Sequence, residues 1–68
     1  MDRYWVNHRT DTNPNNDHEV HKERCSKMPS DKTYLGEHPD CHSAVRKART
    51  YYSNVDGCSN CCPLCHNG

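Results

Sequence analysis

The chain has 68 residues and a formal charge of zero, from nine basic and nine acidic side chains, which argues against general electrostatic capture of nucleic acid or anionic lipid. Only 31% of the residues are hydrophobic even with every cysteine and tyrosine counted, and there is no Phe. A core this thin roughly offsets the entropy lost on folding, so the composition excludes a large self-sufficient core and favours added support from a disulfide, a metal or a partner.

Three short strands are predicted in the first half of the chain. The aromatic and β-branched residues 4–7 predict the first strand, residues 18–21 the second, and residues 32–36 a third that Gly36 ends. Residues 8–17 are rich in Asn, Asp and Thr and predict a mobile loop between the first two strands. The expected sheet is therefore small and antiparallel, with two to three strands.

One helix is predicted after Pro39, with Asp40 as its N-cap and Ser53 stopping it. Apolar side chains recur at helical spacing and form one stripe: Cys41, Ala44, Val45, Ala48 and Tyr52. On this stripe Cys41 is predicted to pack as a small free hydrophobe, and His42 on the other side to be solvated. The fold class that follows is α+β, with one main helix on a short sheet.

Basic residues cluster on the far side of this helix, and no acidic residue occurs from position 41 to 55. They are Arg46, Lys47 and Arg49. This face is a candidate for binding nucleic acid or another partner, and its alternative interpretation is an ordinary solvated helix surface.

The closely spaced cysteines near the end of the chain predict a metal site. Cys58 and Cys61 form a CxxC pair that can offer two thiolates to one ion, and His21 with Cys25 forms an HxxxC that can supply the other half. A reducing compartment favours metal ligation over disulfides for such cysteines. The prediction is a structural Zn²⁺ held by Cys₃His, whose binding energy of roughly 10–16 kcal/mol would decide whether the chain folds.

Cys62, Cys65 and His66 lie outside that set and leave several interpretations open. They form a CxxCH, the pattern of c-type haem attachment. Cys62 and Cys65 could instead be the zinc pair, join Cys41 or His66 around a second ion, or form a redox-active dithiol.

The remaining aromatic and histidine residues have simpler interpretations. Because there is no Phe, Trp5 and the tyrosines are predicted to build the core rather than a base-stacking surface. His8, His18 and His38 are predicted to be solvated or capping rather than metal ligands.

Taken together, these residues resemble the metal-binding domain at the N-terminus of the Ada DNA-repair protein. The resemblance covers roughly residues 4–63 and also extends to a family of small uncharacterised bacterial proteins that open with Tyr-Trp-Val-Asn. It is carried by Tyr4, Trp5, His21, Cys25, Tyr34, Leu35, Ala44, Ala48, Gly57, Cys58, Cys61 and Pro63. It implies an α+β fold with a small antiparallel sheet, one packed helix and one tetrahedral zinc.

The resemblance does not imply the Ada activity. In Ada four cysteines hold the zinc, and the first accepts a methyl group from a DNA phosphotriester. The matching position here is His21, whose imidazole can bind zinc but lacks the attacking thiolate.

The sequence thus predicts a single zinc-binding domain over residues 1–68, with a flexible tail at 66–68. No segment is apolar and long enough to span a bilayer and no secretory leader is recognisable, so a cytoplasmic monomer is expected. The predicted function is a non-enzymatic interaction module for protein or nucleic acid. The alternative is a thiol redox or metal-handling protein that uses Cys62 and Cys65, with haem attachment as a third interpretation.

Overall fold

The computed structural model describes residues 1–10 and 16–67. The elements follow in the order β1 (Asp2–Asn7), β2 (His18–Lys22), β3 (Lys32–His38), α1 (Cys41–Ala48), β4 (Val55–Gly57) and a short 3-10 turn (Pro63–Cys65). This confirms the predicted α+β class with one main helix. Within the described residues the sheet has four strands, one more than expected.

The strands lie side by side in the order β3-β1-β2-β4. β1 is antiparallel to both of its neighbours, with Val6 opposite Val20 on β2, whereas β4 runs parallel to β2. The parallel pairing requires a long return connection, and the segment that contains β3 and α1 provides it. The sheet is therefore mixed rather than wholly antiparallel.

The prediction that Gly36 ends the third strand is wrong, because β3 continues to His38. The pairing of β1 with β3 shifts register between Tyr4 and Trp5, which leaves an irregularity opposite Gly36. Gly36 has a φ of 95°, a conformation that glycine adopts without the steric cost of a side chain. The glycine thus allows the strand to pass through the bulge.

The core lies between the inner face of the sheet and one face of α1. Its buried members are Tyr4, Val6, Val20, Leu35, Cys41, Ala44, Val45 and Ala48, joined by Cys62 and Cys65 from the tail. The small side chains on the helix let it approach the strands closely. The predicted stripe is confirmed over the first two turns of the helix.

The helix ends at Ala48, four residues before the predicted end of the stripe. After it, the N–H groups of Thr50 and Tyr51 donate to carbonyls three residues back, those of Lys47 and Ala48, a pattern that tightens and ends a helix. Tyr52 still packs beside the core, with its ring stacked on His18 at a centroid distance of 3.6 Å.

The aromatic residues divide between core and surface. Tyr4 is buried as expected, but Tyr34 and Tyr51 are each 50% exposed, so the prediction that the tyrosines form the core is wrong for them. Trp5 is half-buried and contacts the Tyr34 ring at 5.1 Å between centroids. Among the described residues, Tyr4 is therefore the one tyrosine or tryptophan whose ring is fully buried in the thin apolar interior.

Two predicted flexible segments fall partly outside the described residues: positions 11–15 of the 8–17 loop, and Gly68 of the 66–68 tail. Among the described residues no helix has the length and apolarity needed to cross a bilayer.

Candidate metal centre

Four side chains predicted as zinc ligands lie together beside the end of β2. The ligand atoms of His21, Cys25, Cys58 and Cys61 all lie within 4.8 Å of one another. His21 Nδ1 lies 3.6 Å from Sγ of Cys25 and 3.9 Å from Sγ of Cys61. The sulfurs of Cys25 and Cys58 are 4.0 Å apart. This cluster could hold a metal ion.

The spacing of these atoms fits a tetrahedral site. Zinc binds sulfur at about 2.3 Å and imidazole nitrogen at about 2.0–2.1 Å, so the edges of a regular tetrahedron would be about 3.8 Å between sulfurs and about 3.6 Å between sulfur and nitrogen. The observed separations of 4.0, 3.9 and 3.6 Å lie close to those lengths. The remaining pairs also lie within 4.8 Å, so one ion at the centre could contact all four atoms after adjustment of the side chains.

The parallel pairing of β2 with β4 brings the two halves of the cluster together. Val20 is paired with Gly57, so the next residues along the two strands, His21 and Cys58, emerge side by side. The Cys58 N–H donates to the Val20 carbonyl at 3.0 Å and extends that pairing by one step. Sequence inspection missed β4, and with it the reason why the two motifs converge.

Tight turns position the other two thiols. After β2, Arg24 adopts a left-handed φ of 68°, and the Cys25 N–H donates to the Lys22 carbonyl at 3.1 Å. This reversal folds Cys25 back toward His21. In the CxxC segment, the N–H of Cys62 donates to the Cys58 carbonyl at 2.8 Å, which holds Cys61 on the same side as Cys58.

N–H groups point at the sulfurs of the cluster. The backbone N–H of Lys22 donates to Cys61 Sγ at 3.3 Å, and that of Lys27 donates to Cys25 Sγ at 3.4 Å. The Asn60 side-chain amide lies 3.8 Å from the same Cys25 sulfur. Such donors stabilise thiolates and orient ligands around a metal. The surroundings of the sulfurs therefore suit ligation.

His21 is in the form that binds a metal at neutral pH. Its side chain is only 2% exposed, and burial lowers its pKa to about 4, so the ring is uncharged at pH 7. The Glu19 carboxylate lies 3.8 Å from Nε2 and marks that nitrogen as the one facing away from the sulfurs. Nδ1 is the ring nitrogen that faces Cys25 and Cys61.

The thiols differ in how readily they lose a proton. Burial alone would raise the pKa of Cys25, but hydrogen bonds from Cys61, from the Lys27 amide and from Asn60 lower it. The pKa of Cys61 is raised, first by burial, then by its hydrogen bond to Cys25 and by the neighbouring Cys62 and Cys58. Deprotonation of several of these thiols is therefore unfavourable unless a cation compensates the negative charge. A divalent ion would provide that compensation.

The second predicted set of cysteines is arranged differently from the expected pairs. Cys65 forms a disulfide with Cys41, 24 positions earlier, so neither the free Cys41 nor the Cys62–Cys65 dithiol of the sequence prediction is present. The bond also occupies one of the two thiols that haem attachment at the CxxCH needs. Cys62 is free and buried, with its sulfur 4.0 Å from that of Cys61.

Two histidines near these cysteines have definite contacts. His66 lies away from the metal cluster, with Nδ1 3.0 Å from the Gly57 carbonyl and 3.1 Å from the Asp56 carboxylate. His42 is exposed as expected, but its Nδ1 lies 3.5 Å from Cys65 Sγ. Sequence reasoning missed this contact because it depends on where the 63–65 turn docks.

The other histidines bind protein groups instead of joining a cluster. His8 Nδ1 lies 2.9 Å from the Tyr52 hydroxyl, and His18 Nδ1 lies 3.0 Å from the Asn7 carbonyl. His38 contacts the Ser43 hydroxyl at 2.8 Å and the Leu35 carbonyl at 2.9 Å.

The predicted basic face is present on α1 and just after it. Arg46, Lys47 and Arg49 are all exposed, and Lys47 Nζ lies 5.8 Å from the centre of the Tyr51 ring. A half-exposed aromatic ring thus adjoins one of these cations, Lys47.

The fold and the cluster define a small α+β domain with a Cys₃His group that could hold a metal ion. No protein-family model, curated protein or solved structure matches this chain.

Proposed function

We propose that this chain is a non-enzymatic, zinc-stabilised domain in which His21, Cys25, Cys58 and Cys61 hold one structural Zn²⁺. The observation that carries the proposal is that four ligand atoms lie within 4.8 Å of one another, with three of their separations close to tetrahedral edges. Three sulfurs and one imidazole are a ligand set that zinc commonly takes in structural sites. The ion would connect β2 with the segment after β4.

A structural role is favoured over a catalytic one by the number of protein ligands. Catalytic zinc sites keep a coordination position for water or substrate, whereas four protein ligands complete a tetrahedron. Cys58 is 3% exposed and His21 is 2% exposed, so two of the four ligands are inaccessible to a substrate. The zinc would contribute its binding energy to folding.

The resemblance of the domain to the Ada metal-binding domain is part of the proposal and is supported by the sequence pattern alone. The proposed role excludes methyl acceptance, because the position that matches the acceptor cysteine is His21. A neutral imidazole bound to zinc offers no thiolate to an alkyl carbon.

The cellular role that we propose is interaction with a protein or nucleic acid, by a cytoplasmic monomer. The exposed cations Arg46, Lys47 and Arg49, next to the half-exposed Tyr51, offer charge and an aromatic surface to an acidic partner. These groups lie on the helix and not on the metal cluster, so the zinc would support the binding surface without touching the partner.

Native mass spectrometry combined with metal analysis tests the zinc proposal. We expect one zinc per chain in the oxidised protein, and loss of the dispersed NMR spectrum after chelation. Cys58→Ala should abolish zinc binding, whereas Ser59→Ala, an exposed change inside the same CxxC, should leave it intact. A chelator-stripped protein that keeps its native spectrum would overturn the proposal.

A further inference from the structure

A second group of metal-ligating side chains lies where the 63–65 turn meets the start of α1. The ligand atoms of Cys41, His42 and Cys65 lie within 4.8 Å of one another. None of the three belongs to the Cys₃His cluster. At present two of them share a disulfide, and the third, His42, has Nδ1 3.5 Å from Cys65 Sγ.

We propose that the Cys41–Cys65 disulfide is a reducible cross-link, and that its reduction by a dithiol opens a second metal site. In the reduced chain two thiolates and the His42 imidazole would bind a thiophilic divalent ion such as Zn²⁺. The oxidised chain has no thiolate at this position to offer. The redox state of one bond therefore decides whether the site exists.

Cys41 and Cys65 are each 8% exposed, and a cavity beside Cys41 offers an external thiol a way to the bond. A cavity of about 300 Å³ is lined by Cys41, His42 and Leu64, and Leu64 is 84% exposed. Of the two bonded cysteines, Cys41 lines this cavity and Cys65 does not. Attack by a dithiol is therefore expected at Cys41, with Cys65 as the leaving group.

The reduction balances as two thiol–disulfide exchanges. One thiolate of the dithiol attacks Cys41 Sγ, which forms a mixed disulfide and releases Cys65 as a thiolate. The second thiolate of the dithiol then attacks the dithiol sulfur that is bonded to Cys41. This closes the disulfide of the dithiol and releases Cys41 as a thiolate. The two cysteine sulfurs gain two electrons, and the dithiol loses two as it closes its own disulfide.

Both departing thiolates have a stabilising neighbour. The Cys65 sulfur lies beside the His42 ring, whose nitrogen can donate to the negative charge or bind the same ion. Cys41 is the first residue of α1, directly after the N-cap Asp40, where the helix dipole favours a thiolate. These neighbours would stabilise the two thiolates once the buried disulfide is reduced.

The ligand set leaves room for a further ligand. Three protein atoms occupy three of the four positions that zinc prefers, and His42 is exposed, so water or a small solute could reach the fourth from the cavity. Open three-ligand sites exchange their metal more readily than closed ones. This site would therefore bind metal when the disulfide is reduced and release it when the disulfide forms, while the Cys₃His cluster keeps its own ion.

Metal counting on the oxidised and reduced protein tests the proposal. The protein is reduced with a water-soluble phosphine, freed of reductant without air, and titrated with Zn²⁺ or with Co²⁺ as a spectroscopic probe. We expect one more metal ion per chain in the reduced form than in the oxidised form, with added sulfur-to-cobalt charge-transfer absorption. Equal metal counts in the two forms would overturn it.

Variants of the proposed ligands test which residues bind the second ion. His42→Ala leaves the disulfide and the fold in place, and should weaken only the second ion, by more than about 100-fold since a direct ligand is lost. His8→Ala removes another exposed histidine and should change nothing. Unchanged affinity for the second ion in His42→Ala would contradict the ligand assignment.

This inference does not rest on the proposed function, and the two can fail separately. The metal count of the oxidised protein tests the Cys₃His cluster, whereas the difference between the two redox forms tests the second site. Cys41→Ser with Cys65→Ser should bind the first ion alone, under reducing as well as oxidising conditions. Retention of the second ion in that variant would again contradict the proposal.

Discussion

Nδ1 of His21 lies 3.6 Å from Sγ of Cys25, four residues along the chain, and both atoms face the thiols of the distant CxxC. The ring nitrogen is one of the four ligand atoms of the cluster, so two substitutions of His21 test its role. His21→Ala removes the ligand and should lower zinc affinity by more than about 100-fold. His21→Cys supplies a sulfur and should retain zinc. Competition with a chromophoric chelator measures both, and wild-type affinity in His21→Ala would exclude His21 as a ligand.

Acid should weaken the domain within a definite pH window. The pKa of His21 falls from its ordinary 6.5 to about 4 in the folded chain, because burial disfavours the charged ring. The unfolded chain therefore binds the proton first, so the free energy of unfolding decreases as pH falls from about 6.5 toward 4. Denaturant titrations across that range, with zinc release followed in parallel, should show the decline. A flat profile down to pH 4 would contradict it.

Gly57 is closely covered by the 63–65 turn. A Cβ atom at this position would lie 2.7 Å from Cys65 Cβ and 2.9 Å from the Cys62 carbonyl oxygen. Gly57→Ala should therefore displace the turn and lower the free energy of unfolding by about 1–3 kcal/mol, the usual cost of overpacking. Ser53→Ala, an exposed change in the preceding turn, is the control and should have little effect. Equal stability of the two variants would show that the turn yields freely.

The start of α1 depends on one side-chain hydrogen bond. The Ser43 N–H donates to Asp40 Oδ1 at 2.9 Å. Asp40→Ala removes the acceptor and should cost about 1 kcal/mol, whereas Asp40→Asn keeps an oxygen there and should cost only a few tenths. Thermal unfolding of the three proteins gives the comparison. Similar losses of stability in both variants would indicate that the charge of Asp40, and not its capping hydrogen bond, stabilises the helix.

The basic face on α1 predicts the salt dependence of nucleic-acid binding. If all three cations contact phosphates of a duplex, the slope of log K against log salt should be about −2.7, and their replacement by Ala should bring it near zero. The face comprises Arg46, Lys47 and Arg49, and the matched control changes three exposed cations elsewhere: Arg3, Lys27 and Lys32. Fluorescence anisotropy with a labelled duplex measures the slope. Equal loss in both triple variants would assign the binding to net charge and not to this face.

Periodicity predicted those elements whose side chains alternate or recur regularly. The first three strands and the start of the helix carry such patterns, and the structure contains them with shifted ends. β4 has only Val55, Asp56 and Gly57, with one apolar side chain, so it shows no alternation. It forms because β2 offers a partner, which is a tertiary effect. The early helix end likewise follows from three-residue hydrogen bonds after Ala48, which the stripe does not encode.

The metal cluster could be predicted as a ligand set but not as a geometry. Spacing pointed to His21, Cys25, Cys58 and Cys61, because HxxxC and CxxC are compact motifs, and it left Cys62 with Cys65 open as an alternative pair. The disulfide could not be foreseen from spacing. Cys41 and Cys65 are 24 positions apart, and they meet only where the 63–65 turn docks against the start of α1.

The separation along the chain of the two halves of the cluster bears on folding kinetics. Cys25 and Cys58 are 33 positions apart, with β3 and α1 between them, so that whole segment must be ordered before one ion can contact all four ligands. Closing such a long loop costs entropy before any long-range contact compensates it, which slows folding. Coordination of the ion by all four ligands would then form after the rate-limiting step of folding. Loss of a single ligand should therefore accelerate unfolding far more than it delays refolding.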